Sequence, residues 1–201
     1  MALWTISAQA GTGNVEIATE LARRADVPFL DREALVARAH ELEPQINDAE
    51  ELEARLSGRL AGLALGAAIA TGSPEAVREL QLRKQLPELG RVVMREVARQ
   101  AAVILAPGAF AALPDHPAAI HVRLRAPFEW RISAYQRQEV VDRQTAEKAV
   151  RHDDEQKRAW VKTLYHVEVD DPSHFTLVVD VSRLAAARVV DLLLASAGEP
   201  S

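Results

Sequence analysis

The chain has 201 residues, 48% of them apolar and 26% charged, with a formal net charge of −5. That length can bury the core of one domain, while the negative charge and only 4% aromatics disfavour a surface for gripping or stacking on nucleic acid. With no cysteine there is no disulfide, thiolate zinc site or cysteine nucleophile, which fits a reducing cytoplasm.

The first twenty residues set the plan. Leu3-Trp4-Thr5-Ile6-Ser7 reads as a buried strand and Ala8 to Gly13 as a turn with two glycines. A helix follows whose apolar stripe is Ile17, Ala18, Leu21, Ala22 and Ala25. A glycine turn feeding a helix N-terminus is a phosphate-binding arrangement. The first N–H groups of a helix lack intrahelical partners and carry partial positive charge, and glycine lets an anion approach them. A Walker A loop closes in Gly-Lys-Ser/Thr, the lysine meeting phosphates and the hydroxyl meeting magnesium. Here Asn14 and Val15 follow Gly13.

Val27 to Leu30 reads as a second short strand. Asp31 is the expected N-cap of a helix bearing Leu35, Val36, Ala39 and Leu42. Asn47 with Glu50 suggests a capping box, Leu52, Leu56, Leu60 and Leu63 keep helical spacing, and Ser73-Pro74 opens another helix with Val77 and Leu80. The apolar run at 60–70 falls well short of the ~20 residues that cross a bilayer. No basic leader precedes Leu3, so neither a membrane span nor a secretory signal is expected. Small residues at Gly62, Gly66 and Ala70 offer either core packing or a homodimer face. A further helical face carries Leu89, Val92, Val93, Val97 and Ala101.

Ala102 to Leu105 and Ala118 to Leu124 read as strands, the first apolar throughout as in the middle of a parallel sheet. Pro127 starts a helix with Phe128, Ile132 and Tyr135, a charged helix runs from about Thr145 to Tyr165, and Phe175 to Val181 is a last strand before an amphipathic helix at Leu184 to Leu194. Five strands separated by helices imply parallel βαβ crossovers, hence an α/β sheet covered on both faces.

Basic residues gather after the fourth strand: Arg123, Arg125, Arg131, Arg137, Arg143, Arg151, Lys157 and Arg158. In phosphoryl transfer the protein mainly positions and neutralises phosphate, so arginines on a closing lid suit that chemistry. The competing reading is an exposed helix laced by i, i+4 pairs, Arg151 with Glu155 and Asp154 with Arg158. The histidines show no zinc-ligand spacing, no Gly-x-Ser-x-Gly elbow is present, and Trp4, Trp130 and Trp160 read as packing residues.

Thr5 to Gly13, with Pro28-Phe29-Leu30-Asp31-Arg32-Glu33, Ala126-Pro127-Phe128-Glu129-Trp130-Arg131, Arg158-Ala159-Trp160, Val169 to Pro172 and Ser182-Arg183-Leu184, resembles in order and spacing the cytidylate kinase-like proteins of the P-loop nucleoside monophosphate kinase superfamily. The resemblance implies a three-layer α/β/α domain spanning 1–201 with a five-stranded parallel sheet. Within it lie a helical acceptor-binding region at 32–100 and an arginine-rich helical lid at 126–166. It implies ATP phosphates on Gly11, Thr12, Gly13, Asn14 and Val15, with Mg2+ as the metal of an active enzyme. An acceptor nucleotide such as CMP or dCMP would lie near Asp31, which equally serves as a cap. Arg131, Arg137, Arg151 and Arg158 would close over the transferring group. The chain departs from the pattern at Asn14, at Val15 and at Leu105-Ala106-Pro107-Gly108, where the family has Gly-Arg-Gly. Proline offers no donor from side chain or backbone. Two functions follow: phosphoryl transfer to a nucleoside monophosphate, or a degenerate member that binds a nucleotide or other anion as a regulatory or scaffold module.

Overall fold

The computed structural model describes residues 2–42 and 90–198. The features expected between Asn47 and Leu80, including the small-residue face at Gly62 to Ala70, lie outside the described residues. Five strands form one sheet: β1 (Leu3–Ala8), β2 (Phe29–Leu30), β3 (Ala102–Leu105), β4 (Ala119–Arg125) and β5 (Leu177–Asp180). Their order is β2-β3-β1-β4-β5, and every pairing is parallel.

Helices α1 (Asn14–Ala25), α2 (Arg32–Leu42), α3 (Ala109–Ala112), α4 (Phe128–Glu139), α5 (Arg143–Tyr165) and α6 (Ala186–Ser196) connect and cover the strands, with a further helical stretch at 90–97. Alternation along β1 explains the two faces. Trp4 and Ile6 point one way and pack with Ile17, Ala18 and Leu21 of α1 and Val189, Val190 and Leu193 of α6. The Trp4 indole N–H also donates to Leu193 O at 2.9 Å. Leu3 points the other way, and Ile104 of β3 shares its side with Leu35 and Ala39 of α2, Val93 and Met94, and Leu164 and Tyr165 of α5. A fully buried leucine or isoleucine contributes about 1.5–3 kcal/mol, so these stripes fix which face each helix takes.

A polar seam runs between the two apolar layers. Thr5 shares a hydrogen bond with His121 Nδ1 at 2.7 Å, and one turn of the pleat further Arg123 Nη1 donates to Ser7 Oγ at 3.0 Å. β1 and β3 feed helices on opposite faces, α1 on one and α3 on the other, so their connections diverge and open a crevice at the carboxyl ends of the two strands. Ligand sites of open α/β sheets form at such switch points.

Candidate nucleotide site

The turn after β1 is shaped by two residues in the left-handed region, Gly11 at φ 76° and Gly13 at φ 67°. At Gly11 the need for glycine is double, since a Cβ would also lie 2.6 Å from the carbonyl oxygen of Arg131. The base of the turn is pinned to the next strand. Gln9 N–H donates to Leu124 O at 3.1 Å, and Gln9 Oε1 accepts from Ala126 N–H at 3.2 Å. Thr12 is buried, its hydroxyl donating to Gln9 O at 2.7 Å. The N–H groups of Gly11 to Val15 meet no acceptor among the described residues. That is the anion-binding geometry of a helix N-terminus.

One amide of the turn is taken. Ala10 N–H donates to Asp154 Oδ1 at 3.0 Å, while Arg131 Nη1 donates to Ala10 O at 3.2 Å and to Asp154 Oδ2 at 2.6 Å. Arg131 Nε completes the arrangement on Ala126 O at 3.1 Å. The two side chains are only 6% and 13% exposed. Arg131 and Asp154 therefore form a buried clamp that fastens α4 and α5 to the loop.

Beside the loop, in the crevice between β1 and β3, lies a cavity of about 400 Å3. Its floor is Ile6, Ala8, Leu105, Ala106 and Pro107; Leu35 and Ala39 wall one side, and Trp160, Leu164 and Tyr165 of α5 another. Among the described residues the charged and amide side chains reaching it are Asn14, Asp31, Arg32, Asp153, Gln156 and Lys157. Lys157 brings an ammonium to the start of the loop. Its Nζ donates to Ala8 O at 3.4 Å and sits 2.6 Å from Asp153 Oδ2, an ion pair too bent to be a hydrogen bond.

The other predicted residues fall in several places. Asn14 and Val15 line the cavity, Val15 with its side chain largely in solvent. Asp31 lines the cavity and also caps α2, its Oδ1 accepting from Ala34 N–H at 3.0 Å, so both readings of this residue are compatible. Of the four arginines expected to close over the transferring group, only Arg131 touches the loop, and it does so as part of the clamp. Arg137 is exposed in the last turn of α4. Arg151 pairs with Glu147 at 3.1 Å and stacks over Phe128, 4.9 Å from the ring centre. Arg158 pairs with Asp170 at 3.1 Å. The helix pairs expected within α5 are not made: Arg151 turns to Glu147 instead of Glu155, and Asp154 turns away from Arg158 to Arg131.

Sequence reasoning counted Arg123 and Lys157 in the basic cluster without giving either a place at the site, paired Asp154 with Arg158, and passed over Asp153. Arg123, buried, donates to Asp170 Oδ1 at 2.7 Å, tying the seam beneath the loop to the segment after α5. Burial alone raises the Asp170 carboxyl, but the hydrogen bond and charge of Arg123, and then those of Arg158, outweigh it and leave it below the ordinary carboxylate range. Tyr165, in the cavity wall, is pushed up to about 12, chiefly by burial, so it stays a neutral phenol. Its ring and that of Trp160 explain Gly108: a Cβ there would lie 2.7 Å from an atom of each.

A parallel sheet ordered 2-3-1-4-5, a glycine turn from its central strand into a helix, and a two-helix hairpin fastened over that turn define a P-loop kinase-like α/β protein. The chain belongs to the cytidylate kinase-like family, whose profile matches residues 4–183. No sequence among the curated proteins matches it. Among solved structures it is similar to an uncharacterized protein from Eubacterium ventriosum ATCC 27560, with a TM-score of 0.72 at 14% identity over 98% of this chain and 97% of that one. It is also similar to a gluconokinase from Sinorhizobium meliloti 1021, with a TM-score of 0.52 at 13% identity over 98% and 91% of the two chains. At such identities the likeness is one of fold.

Proposed function

We propose that the protein binds the phosphates of a nucleoside triphosphate, ATP in the first instance, on the amides of Gly11 to Val15. In this reading it transfers the γ-phosphoryl group to an acceptor seated in the adjoining cavity. The observation that carries it is the run of loop amides without acceptors among the described residues, opening beside a cavity that also holds Lys157. Phosphoryl transfer asks the protein chiefly for positioning and charge stabilisation, which loop amides and a nearby ammonium supply. Asp31 stands at the acceptor side, and Arg137, Arg151 and Arg158, exposed on the α4–α5 hairpin, would have to turn toward the transferring group, Arg151 leaving Glu147 and Arg158 leaving Asp170. Arg131 contributes by holding the hairpin to the loop.

The residues present fit the phosphates better than they fit magnesium. Val15 carries no hydroxyl, and that of Thr12 is committed to Gln9 O. The acceptor suggested by the family is a nucleoside monophosphate such as CMP or dCMP. The test is a coupled ADP-release assay with CMP, dCMP, UMP and AMP beside calorimetric titration of ATP with and without magnesium. Turnover with an acceptor supports transfer; the absence of ATP binding under either condition rejects the reading.

A second reading is supported by Asn14, Val15 and Pro107 together, and by the Asp154 carboxylate already seated on Ala10 N–H. A catalytically degenerate member would bind a nucleotide or other anion as a regulatory or scaffold module. Magnesium-independent ATP binding without turnover of any acceptor selects it.

A further inference from the structure

Tyr165, the last residue of α5, stands in the wall of the cavity beside the loop and is only 8% exposed. Its ring is placed from several sides. Trp160 meets it edge-on with ring centroids 5.9 Å apart, and the Arg91 guanidinium lies over its face, 5.7 Å from the centroid. Two glycines make room for it. A Cβ at Gly108 would lie 2.7 Å from the ring edge, and a Cβ at Gly90 would lie 2.7 Å from the hydroxyl oxygen. Neither glycine is in the left-handed region, so these positions supply space and not a special backbone conformation.

The hydroxyl is thus held at a defined point, and it donates to no acceptor among the described residues. Its oxygen keeps contact with solvent, and Gly90 beside it lines the same cavity. Buried tyrosine hydroxyls ordinarily find a partner, because the O–H loses its water on burial. Burial keeps this phenol protonated well above neutral pH, so the proton to be donated is always present.

Position along α5 selects which part of a ligand the hydroxyl meets. Lys157, beside the loop, precedes Tyr165 by eight residues, so about 12 Å of helix axis separates the two backbones. An acceptor whose reacting group lies at the loop therefore turns its far end toward Tyr165. That end of the cavity is apolar: Tyr165 packs in one cluster with Leu35, Ala39, Val93, Met94 and Leu164. A flat uncharged ring can cover such a wall, whereas a phosphate or a sugar bearing several hydroxyls would lose water there without replacement. A ring carbonyl supplies the acceptor that the O–H needs.

We propose that Tyr165 is a specificity-determining residue of the acceptor cavity, its hydroxyl donating to a ring carbonyl on the base of a nucleotide acceptor. This rests on the phosphoryl-transfer reading above. It separates pyrimidines, which carry such a carbonyl, from adenine, which carries none.

The chain has two tyrosines, Tyr135 and Tyr165, so fluorotyrosine labelling of the full chain gives two fluorine resonances and Tyr135→Phe assigns them. CMP is expected to move the Tyr165 line, and ribose 5-phosphate, which offers sugar and phosphate alone, to leave it in place. Calorimetry reads the same contact. Tyr165→Phe keeps the ring and its packing, and should weaken CMP and UMP about three- to tenfold, the range of one neutral hydrogen bond, while AMP and ATP change by less than about twofold. A Tyr165 line unmoved at saturating CMP, or moved equally by ribose 5-phosphate, overturns the proposal. So does CMP affinity unchanged in Tyr165→Phe, or a loss shared equally by AMP, which marks a packing role. If none of CMP, UMP and AMP binds the wild type, the acceptor assignment and this proposal fall together. If CMP reaches Tyr165 and ATP does not bind, the transfer reading falls and the contact made by the hydroxyl stands.

Discussion

Replacing Asp154 by alanine isolates the clamp between the hairpin and the loop. The substitution leaves the Arg131 guanidinium, 6% exposed, without its carboxylate, and leaves Ala10 N–H without its acceptor. Removing one partner of a buried ion pair costs about 3–5 kcal/mol, because the remaining charge is stranded away from water. For a chain of this size each kcal/mol lowers the melting temperature by roughly 2–4 °C, so Asp154→Ala should lose roughly 6–20 °C. The double variant Arg131→Met/Asp154→Leu removes both charges and is expected to cost less than the sum of the single changes by at least about 2 kcal/mol. Urea unfolding of the wild type, Arg131→Met, Asp154→Leu and the double variant, with thermal melts alongside, measures that coupling. A loss below about 1 kcal/mol for Asp154→Ala, as for a solvated surface pair, would refute the clamp. Strict additivity of the two changes would do the same.

Three further outcomes follow from individual positions. Gly11→Ala places a Cβ 2.6 Å from Arg131 O at φ 76°; beyond the about 1–2 kcal/mol of the left-handed backbone alone, the loop must shift, so ATP binding should fall in calorimetry together with thermal stability. Gly108→Ala drives a methyl to 2.7 Å from both Trp160 and Tyr165; overpacking of this kind costs about 1–3 kcal/mol and should change tryptophan fluorescence, and an unchanged melting temperature would contradict the packing described. Burial pushes the His121 imidazole below its ordinary value, so the folded state binds that proton less readily than the unfolded chain. Stability should then fall as pH drops through about 6.5, by no more than about 1.4 kcal/mol per pH unit, and His121→Gln should flatten that slope in urea titrations at pH 5 to 8.

The strands were legible because each is a short apolar run between turn residues, and the loop because two glycines precede a helical stripe. Asp31 was legible as a cap for the same local reason. The clamp and the cation were harder to see because they depend on which face of α5 is buried. Helical spacing alone suggested that Asp154 would meet Arg158, its neighbour at i+4. The buried positions of α5 include Val150, Val161 and Leu164. Asp154 and Lys157 fall between them at the same alternating four- and three-residue steps. They are charged residues on a core stripe, and that misfit was the available signal. Arg123 carries a related one, as a charge at an inward position of β4. What it pairs with could not be read locally, because Asp170 lies 47 residues further along the chain.

Position 14 holds no basic residue, and the ammonium beside the loop, that of Lys157, stands on a different element. A lysine on α1 would be part of the loop's own helix and present whenever the loop is folded. Lys157 arrives on α5, and its reach to Ala8 O at 3.4 Å depends on α5 being seated. The clamp of Asp154 on Ala10 N–H and Arg131 is what seats that part of the helix, one turn before Lys157. If the loop binds ATP as proposed, Asp154→Ala should weaken that binding even at a temperature where the variant is fully folded. The loss should be comparable with that of Lys157→Met, about tenfold or more for one charge-assisted contact. The double variant should bind little worse than either single one, since both remove the same ammonium from the loop. Wild-type affinity in folded Asp154→Ala, measured by calorimetry at 15 °C, would separate the clamp from the phosphate site and assign it to stability alone.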